Sequence, residues 1–460
     1  MPVDSQHQQY TDSVSKWKLV RDCVSGAKAV RDAGEIYLPH PNKEGADSIA
    51  RYKAYTNRAQ FVNVTGRTLK AMVGMAFSKP PTVEIPSQLD YMDNNATGDG
   101  MTLEQVAKLT VGELLQTGRF GLLGDYPVSE QGLSAVQVSA LRLQANIKTY
   151  QSESILNWKT ETIGGQTVLS LVVLAETYEV PEDEFKSEIK RQYRVLKLVE
   201  NTYVVEVWRD DEVFTTAEPR DAKGNRLSFI PFVIAGTYSN DPDIDDAALY
   251  DLAEINIGHY RNSADYEEGV FLHGQPMLHI DIGTTNTTEW NDLNPNGVEV
   301  GARRGLVTSG SGSAQLLQTQ ANSAAFEAMS HKEKQMVAIG ARTIEQGQVP
   351  ETLGAVVIKY AGDNSVLSNV VQNASSAMET VLTWCGLFMG VDSPIEYKIN
   401  ETFYDYGVDP NQIMAEVQLF DRQILGVTEL RGTARKMGMI DEDRTDEIID
   451  AEMTDLSPIE

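Results

Sequence analysis

Over residues 17–30 the apolar positions Trp17, Val20, Cys23 or Val24 and Ala27 recur at helical spacing, predicting a first helix that ends near Gly34. A Pro- and Gly-punctuated loop, YLPHPNKEGAD, separates it from a second predicted helix over 48–77. There Phe61, Val64, Leu69, Met72, Val73 and Phe77 make one apolar stripe, with Gly66 as a candidate interruption. Lys79-Pro80-Pro81 stops that helix, because proline lacks the amide donor and restricts the residue before it. A third helix is expected over 102–116 with Thr102 as its N-cap. From Leu122 the period shortens. LLGDYP, then 168–174, 192–198, 203–208 and 229–235, are short runs rich in Val, Leu, Ile, Tyr and Phe, with turns at Glu200-Asn201 and Lys223-Gly224-Asn225. Helices do not alternate with these strands, so they read as an antiparallel meander and not as a parallel, doubly wound sheet.

Past Asp246 the helical period returns. Leu249, Leu252, Ala253, Asn256, Tyr260 and Ala264 fall along one side, and Asp241, Asp243, Asp245 and Asp246 precede them, where acids suit the positive end of a helix dipole. Between Gly274 and Gln320 the chain holds Gly- and Asn-rich turns, GTTNTT, NPNG and SGSGS, around short β-like pieces. A further helix follows in AAFEAMSHKEKQMVAIGARTIEQ, and then a mixed loop. Val366, Val370, Ala374, Ala377, Met378, Val381 and Cys385 make the cleanest helical stripe in the chain. A short strand over 395–403 and two or three helices over 410–456 complete an α+β reading.

Length and charge narrow the function. At 460 residues the chain exceeds one comfortable core and should divide into lobes. Its 39 Lys and Arg stand against 66 Asp and Glu, a formal charge of −27. That excludes the basic footprint of a tight nucleic-acid binder, and an acidic surface around DNA would let the polymer slide without sticking. Cys23 and Cys385 have no CxxC or Cys/His spacing and read as ordinary thiols of a reducing compartment. No signal-peptide pattern opens the sequence, and 168–175 is too short to span a bilayer, so a cytosolic chain with no membrane partner is expected.

Motifs that carry chemistry are mostly missing from the sequence. The sequence has no phosphate-loop, HExxH or GxSxG motif. Gly310-Ser311-Gly312-Ser313 lacks the strand-loop-helix context of a phosphate cradle. Asp441-x-Asp443 places Glu452 at the twelfth position of a calcium-like loop, but Asp446 stands where the sharp turn needs Gly. The six histidines are scattered, and the acidic pairs Glu267-Glu268 and Glu182-Asp183 lack an apolar frame that would raise a carboxyl pKa. No enzyme, metal or cofactor is expected.

Several stretches in fixed order carry a resemblance. They are Arg51-Tyr52, Arg58-Ala59, Asn63-x-Thr65-x-Arg67-Thr68 and Gly74-x-x-Phe77-x-Lys79-Pro80-Pro81; then Ile230-Pro231-Phe232 and Asp251-Leu252-Ala253-x-x-Asn256-x-x-His259-Tyr260-Arg261-x-Ser263-Ala264-Asp265; then Gly274-x-Pro276 and Ala361-Gly362-Asp363-Asn364-Ser365. Together with the helix, insert, helix, loop, long-helix succession, the chain resembles the portal proteins of tailed bacteriophages, least so in its C-terminal helices. The resemblance implies a ring of about twelve subunits at one capsid vertex. Double-stranded DNA would pass through it during packaging and ejection without sequence-specific binding. The major capsid protein, the terminase large subunit and adaptor or head-completion proteins would be its partners in the virion, after assembly in the host cytoplasm. It further implies a helical wing with a β meander over 1–240, stem helices over 241–274 and 323–346, and a clip over 275–322. A tunnel loop over 347–363, a long wing helix and strand over 364–408 and a crown of helices over 409–460 complete the expectation. DNA-channel candidates are Lys332, Lys334, Arg342, Glu351 and Lys359, the cations countering the acidic field or else pairing with acids of neighbouring subunits. Partner-docking candidates in the clip are Glu289, Trp290, Arg303 and Arg304. A head-to-tail adaptor or connector ring is the alternative, with a capsid protein behind it.

Overall fold

The computed structural model describes residues 2–127, 143–274, 277–281, 286–293, 295, 313–317, 323–340, 353–401, 403, 410–422, 426–436, 439–440 and 444–455. In chain order the elements begin with α1 (Gln8–Ser25), α2 (Ala27–Asp32), α3 (Ser48–Arg58), α4 (Val64–Ala76), β1 (Thr82–Glu84), α5 (Met92–Asn95) and α6 (Leu103–Thr117). The strands β2 (Arg119–Asp125), β3 (Asn146–Gln151), β4 (Ile155–Ile163), β5 (Gln166–Pro181), β6 (Ser187–Val199), β7 (Thr202–Arg209), β8 (Glu212–Ala217) and β9 (Phe232–Gly236) follow. Then come α7 (Tyr250–His273), β10 (Met277–Asp281), α8 (Thr287–Leu293), β11 (Ser313–Leu317), α9 (Ala324–Ile339), α10 (Leu353–Met389), β12 (Glu396–Lys398), α11 (Pro410–Asp421), α12 (Val427–Lys436) and α13 (Asp446–Asp455). This is a mixed α+β molecule with antiparallel sheets. Among the described residues no helix is long and apolar enough to cross a membrane.

Two expected helices are each broken, for local reasons. The first parts at Gly26, whose φ of 96° suits only glycine and where a Cβ would sit 3.0 Å from the Asn63 amide. The 48–77 helix is interrupted at 59–63 and not at Gly66. Asn63 caps α4 by accepting from the Gly66 amide (2.7 Å) while its own amide group donates to the Val24 carbonyl (3.0 Å). Gly66 is required by packing: a Cβ there would lie 2.8 Å from the Val24 oxygen. Helix α6 starts as expected, with Thr102 and Gln105 forming a reciprocal capping box.

Among the described residues the β region forms two sheets. Strands β4 to β8 lie side by side in chain order, an antiparallel five-stranded meander. Its tight turns at Glu200-Asn201 (φ 49° and 59°) and Asp210-Asp211 (φ 51° and 63°) are left-handed at both positions, the hairpin geometry that matches strand twist. The 229–235 run does not join this meander. It forms β9, which pairs with β2 in a separate sheet of order β3-β2-β9. The reason is burial: Leu122 and Leu123, on opposite faces of β2, are both fully buried, so this sheet is covered on both sides.

Helix α10 packs against β2, β9 and α6. Gly124 permits the approach, with Trp384 Cβ only 3.3 Å from the place a Cβ would occupy. Val370, Ala374, Ala377, Met378, Val381 and Cys385 are all fully buried, and Val366 is half-buried. Residues 353–363, expected to be loop, are instead the first turns of this helix. The run LGAVVIKYAG contains no proline to stop it, and Gly362 is tolerated in a helix of 37 residues. The expected strand over 395–403 shortens to β12, which pairs with the unforeseen β1. Among the described residues the C-terminal segment holds three helices, with Arg431 paired to Asp450, Arg435 to Asp446 and Arg444 to Glu452. Three acids of the calcium-like run, Asp446, Asp450 and Glu452, are therefore engaged by arginines.

Candidate functional site: the helix pair and its insert

Helix α7 is buried in the core over residues 250–264. Leu252, Ala253, Ile257, Tyr260 and Ala264 are buried there. The fully buried Asn256 accepts from the Thr65 amide (3.3 Å) and hydroxyl (3.0 Å) and donates to the Val62 carbonyl (2.9 Å). Two turns further on, Ser263 donates to the Gln60 carbonyl and accepts from its amide. These side chains satisfy the backbone groups that the break between α3 and α4 leaves open, which would otherwise be costly to bury. The preceding acids do not cap the helix. Asp245 accepts from the Tyr238 and Ser239 amides, Asp241 from the Ser239 hydroxyl and Asp243 from Gln9, so they build the turn after β9. The helix accordingly begins at Tyr250, later than the acids suggest.

Helix α9 runs antiparallel to α7. Phe326 meets Tyr266 with ring centroids 6.0 Å apart, Lys332 donates to Asn262 (2.7 Å), and Glu333 lies 3.2 Å from the buried His259 Nε2. Gly258 leaves room for this crossing, since a Cβ there would be 2.9 Å from Lys332 Cε. Beyond Ala264 burial falls away: Val270, Phe271 and Leu272 on α7 and Phe326 on α9 are 40–54% exposed. The ring of Phe271 is covered on one face by Arg58, whose guanidinium lies 4.1 Å from the ring centroid. Past this apolar end the chain enters the insert, where β10 pairs antiparallel with β11 from Met277↔Leu317 to Asp281↔Ser313. The insert thus leaves and re-enters the helix pair through one two-stranded ladder.

The candidate residues distribute as follows. Lys332 is half-buried and bound to α7 through Asn262, so it faces the partner helix. Lys334 is exposed and makes no ion pair among the described residues. Glu289 is exposed and Trp290 half-buried, both on α8 within the insert. Lys359 falls in α10, with its side chain outside the described residues, and Arg303, Arg304, Arg342 and Glu351 also lie outside them. The sequence reading missed the Asn256 and Ser263 anchors as hydrogen-bonding groups and the exposed VFL run of α7. Spacing gave no signal there, because Val270 and Phe271 fall five full turns after Leu252 and Ala253 and so continue the same stripe.

Buried ionisable groups elsewhere are structural. Burial pushes the Cys23 thiol up to about 12 and raises the Cys385 thiol too, so neither is a ready nucleophile. Arg21 binds Glu113 and Glu153 together, tying α1 to α6 and to the turn before β4. Among the described residues no group of three His, Cys, Asp or Glu is placed to hold a metal ion.

A family model described as a domain of unknown function (DUF4055) matches residues 248–389, which span the helix pair, its insert and α10. No curated protein matches the chain. Among solved structures, the chain is similar to one from the virion of a native gene transfer agent (GTA) particle, at 13% identity and a TM-score of 0.42, covering 88% of this chain and 97% of that one. It is also similar to one from the neck of an empty GTA particle computed with C6 symmetry, at 14% identity and a TM-score of 0.43, covering 90% and 99%.

Proposed function

We propose that the chain is a phage portal protein, a non-catalytic ring subunit through which DNA enters and leaves a capsid. The observation that carries this reading is the α7–α9 pair: two antiparallel helices rooted in the core at one end, apolar and exposed at the other, and closed by an insert on a two-stranded ladder. Exposed apolar side chains on both helices favour cover by another surface. A heterologous contact between copies that closes on itself gives a ring with the helix pairs around its axis. In such a ring the net charge of −27 per copy sets a repulsive field around the channel, which suits passage of a polyanion without adhesion. The insert, with Glu289 and Trp290 on α8, is the docking platform for the terminase large subunit and later for adaptor proteins.

The test is binding of the cognate terminase large subunit to assembled protein. Replacing residues 278–316 by a short turn should abolish binding while the assembled mass drops only by the deleted segments. Terminase binding that survives this replacement would move the docking platform elsewhere. An assembled protein that binds adaptor proteins but no terminase would replace the portal reading with that of a head-to-tail adaptor ring.

A further inference from the structure

Helix α4 carries two cations that folding does not use. Its buried side is Thr65, Gly66, Thr68, Leu69, Met72 and Ala76, so by helical periodicity its outward side is Arg67, Lys70, Ala71 and Gly74. Arg67 and Lys70 stand three positions apart, which makes them neighbours on that side. Both are exposed, and neither makes a hydrogen bond or an ion pair among the described residues. Residues 48–83, with α4 inside them, are the longest stretch of the sequence without an acid, in a chain of net charge −27. Acids on helices packed against α4 are turned to other partners: Glu104 and Glu113 of α6 accept from Lys108 and Arg21, and Glu254 of α7 accepts from the Tyr250 hydroxyl.

Gly74 marks the same face independently. Glycine inside a helix costs stability relative to alanine. Packing requires Gly66, where a Cβ would meet the Val24 oxygen, but not Gly74, where a Cβ would have no atom within 4 Å. Next to the two cations the helix therefore offers bare backbone, which lets a bulky partner come close. The position of α4 suggests the partner. Thr65 binds Asn256 of α7, and where α9 ends at Gly340 a Cβ would be 3.8 Å from Thr68 Cγ2. The cations thus sit at the core end of the helix pair, opposite the end that leads into the insert. A basic strip with a bare shoulder, on an otherwise acidic chain, suits a phosphodiester backbone, whose contacts need no base readout.

We propose that the Arg67–Lys70 face of α4 is where each copy touches the phosphates of duplex DNA passing through the ring. This rests on the ring reading above and moves the contact to α4 from the stem, where Lys332 is held by Asn262. The test uses the full chain carrying Lys70→Cys, labelled with a thiol-directed photocrosslinker; both native cysteines are buried and do not compete for the label. Light should attach a labelled duplex of arbitrary sequence at position 70, an unrelated duplex should compete, and Lys186→Cys with the same label should give no adduct. Charge reversal is the second arm. At about 50 mM salt, where phosphate contacts are still strong, Arg67→Glu with Lys70→Glu should weaken duplex binding by about tenfold. The same reversal at the exposed Lys159 and Lys186 of the meander should leave binding nearly unchanged. Wild-type rings that give no adduct at position 70, or equal losses from the two reversals, would overturn the α4 contact alone. A reversal at α4 that disperses the rings would overturn it too, assigning the face to acids of the neighbouring copy. Wild-type protein that forms no ring in the same preparation would overturn the ring reading, and the α4 contact with it.

Discussion

Asn256 concentrates much of what holds the site in place, because one buried amide completes the backbone of the α3–α4 break from a helix almost two hundred positions away. Asn256→Ala would leave the buried Thr65 amide and hydroxyl without the acceptor they share, while the Val62 carbonyl would keep its bond from the Val64 amide. We expect a loss of about 2–4 kcal/mol, read as a lower denaturation midpoint; an unchanged midpoint would show that the break is satisfied in another way. Acid sensitivity should trace to Glu176. Burial would raise its carboxyl pKa, but Arg194, Tyr150 and Gln192 together hold it below the ordinary value. A depressed carboxylate contributes stability that is present above its unfolded pKa and lost as pH falls through the folded one. Asp125, raised by burial, has the opposite sign, contributing most when protonated and less as pH rises. Thermal midpoints measured from pH 7 downward should therefore fall less steeply for Glu176→Gln than for the wild type in the acid range. Parallel slopes would remove Glu176 as the source.

At the scale of elements, the sequence is most legible where one period runs without interruption. The stripe Leu249, Leu252, Ala253, Asn256, Tyr260 and Ala264 is buried throughout, and so is nearly all of the Val366 to Cys385 stripe. Thr102 caps α6 because a capping box is entirely local. What escaped the sequence depends on distant partners. The parting of the first helix at Gly26 and of the second at 59–63 is set by Asn63, Asn256 and Ser263 reaching across the fold, and the same apolar run serves either a meander or a second sheet, as β9 demonstrates. The acids before α7 had a good local role at a helix N-terminus and lost it to the turn after β9. Of the candidate site, the helix-insert-helix order was legible. The orientation of Lys332 toward Asn262 was not, since it depends on how α9 crosses α7. The hairpin at Glu200-Asn201 offers a further check. Both residues sit in left-handed backbone, so Glu200→Asn with Asn201→Gly should stabilise the meander by roughly 1 kcal/mol. A lower thermal midpoint for that variant would mean that the side chains lost there contribute more than the backbone strain relieved.

For the whole molecule, three features go beyond any single element: the strong negative charge, the exposed apolar end of the α7–α9 pair and the insert closed by its own ladder. Charge predicts weak contact with DNA. Binding of duplex DNA to the purified protein should be undetectable near physiological salt, and tight, salt-steep binding would instead mark a basic surface built by assembly. The exposed apolar end predicts that Phe271→Asp with Phe326→Asp leaves the folded subunit intact by circular dichroism but reduces assembly. An assembled fraction equal to that of the wild type would place the subunit contact away from the helix pair. Copies that close around an axial channel with the helix pairs beside it would be visible by single-particle imaging of the purified protein. The expected images are closed rings of about twelve copies, each with an open axis and the inserts gathered at one end. Shells, filaments, or rings whose inserts point outward from the rim would contradict that arrangement.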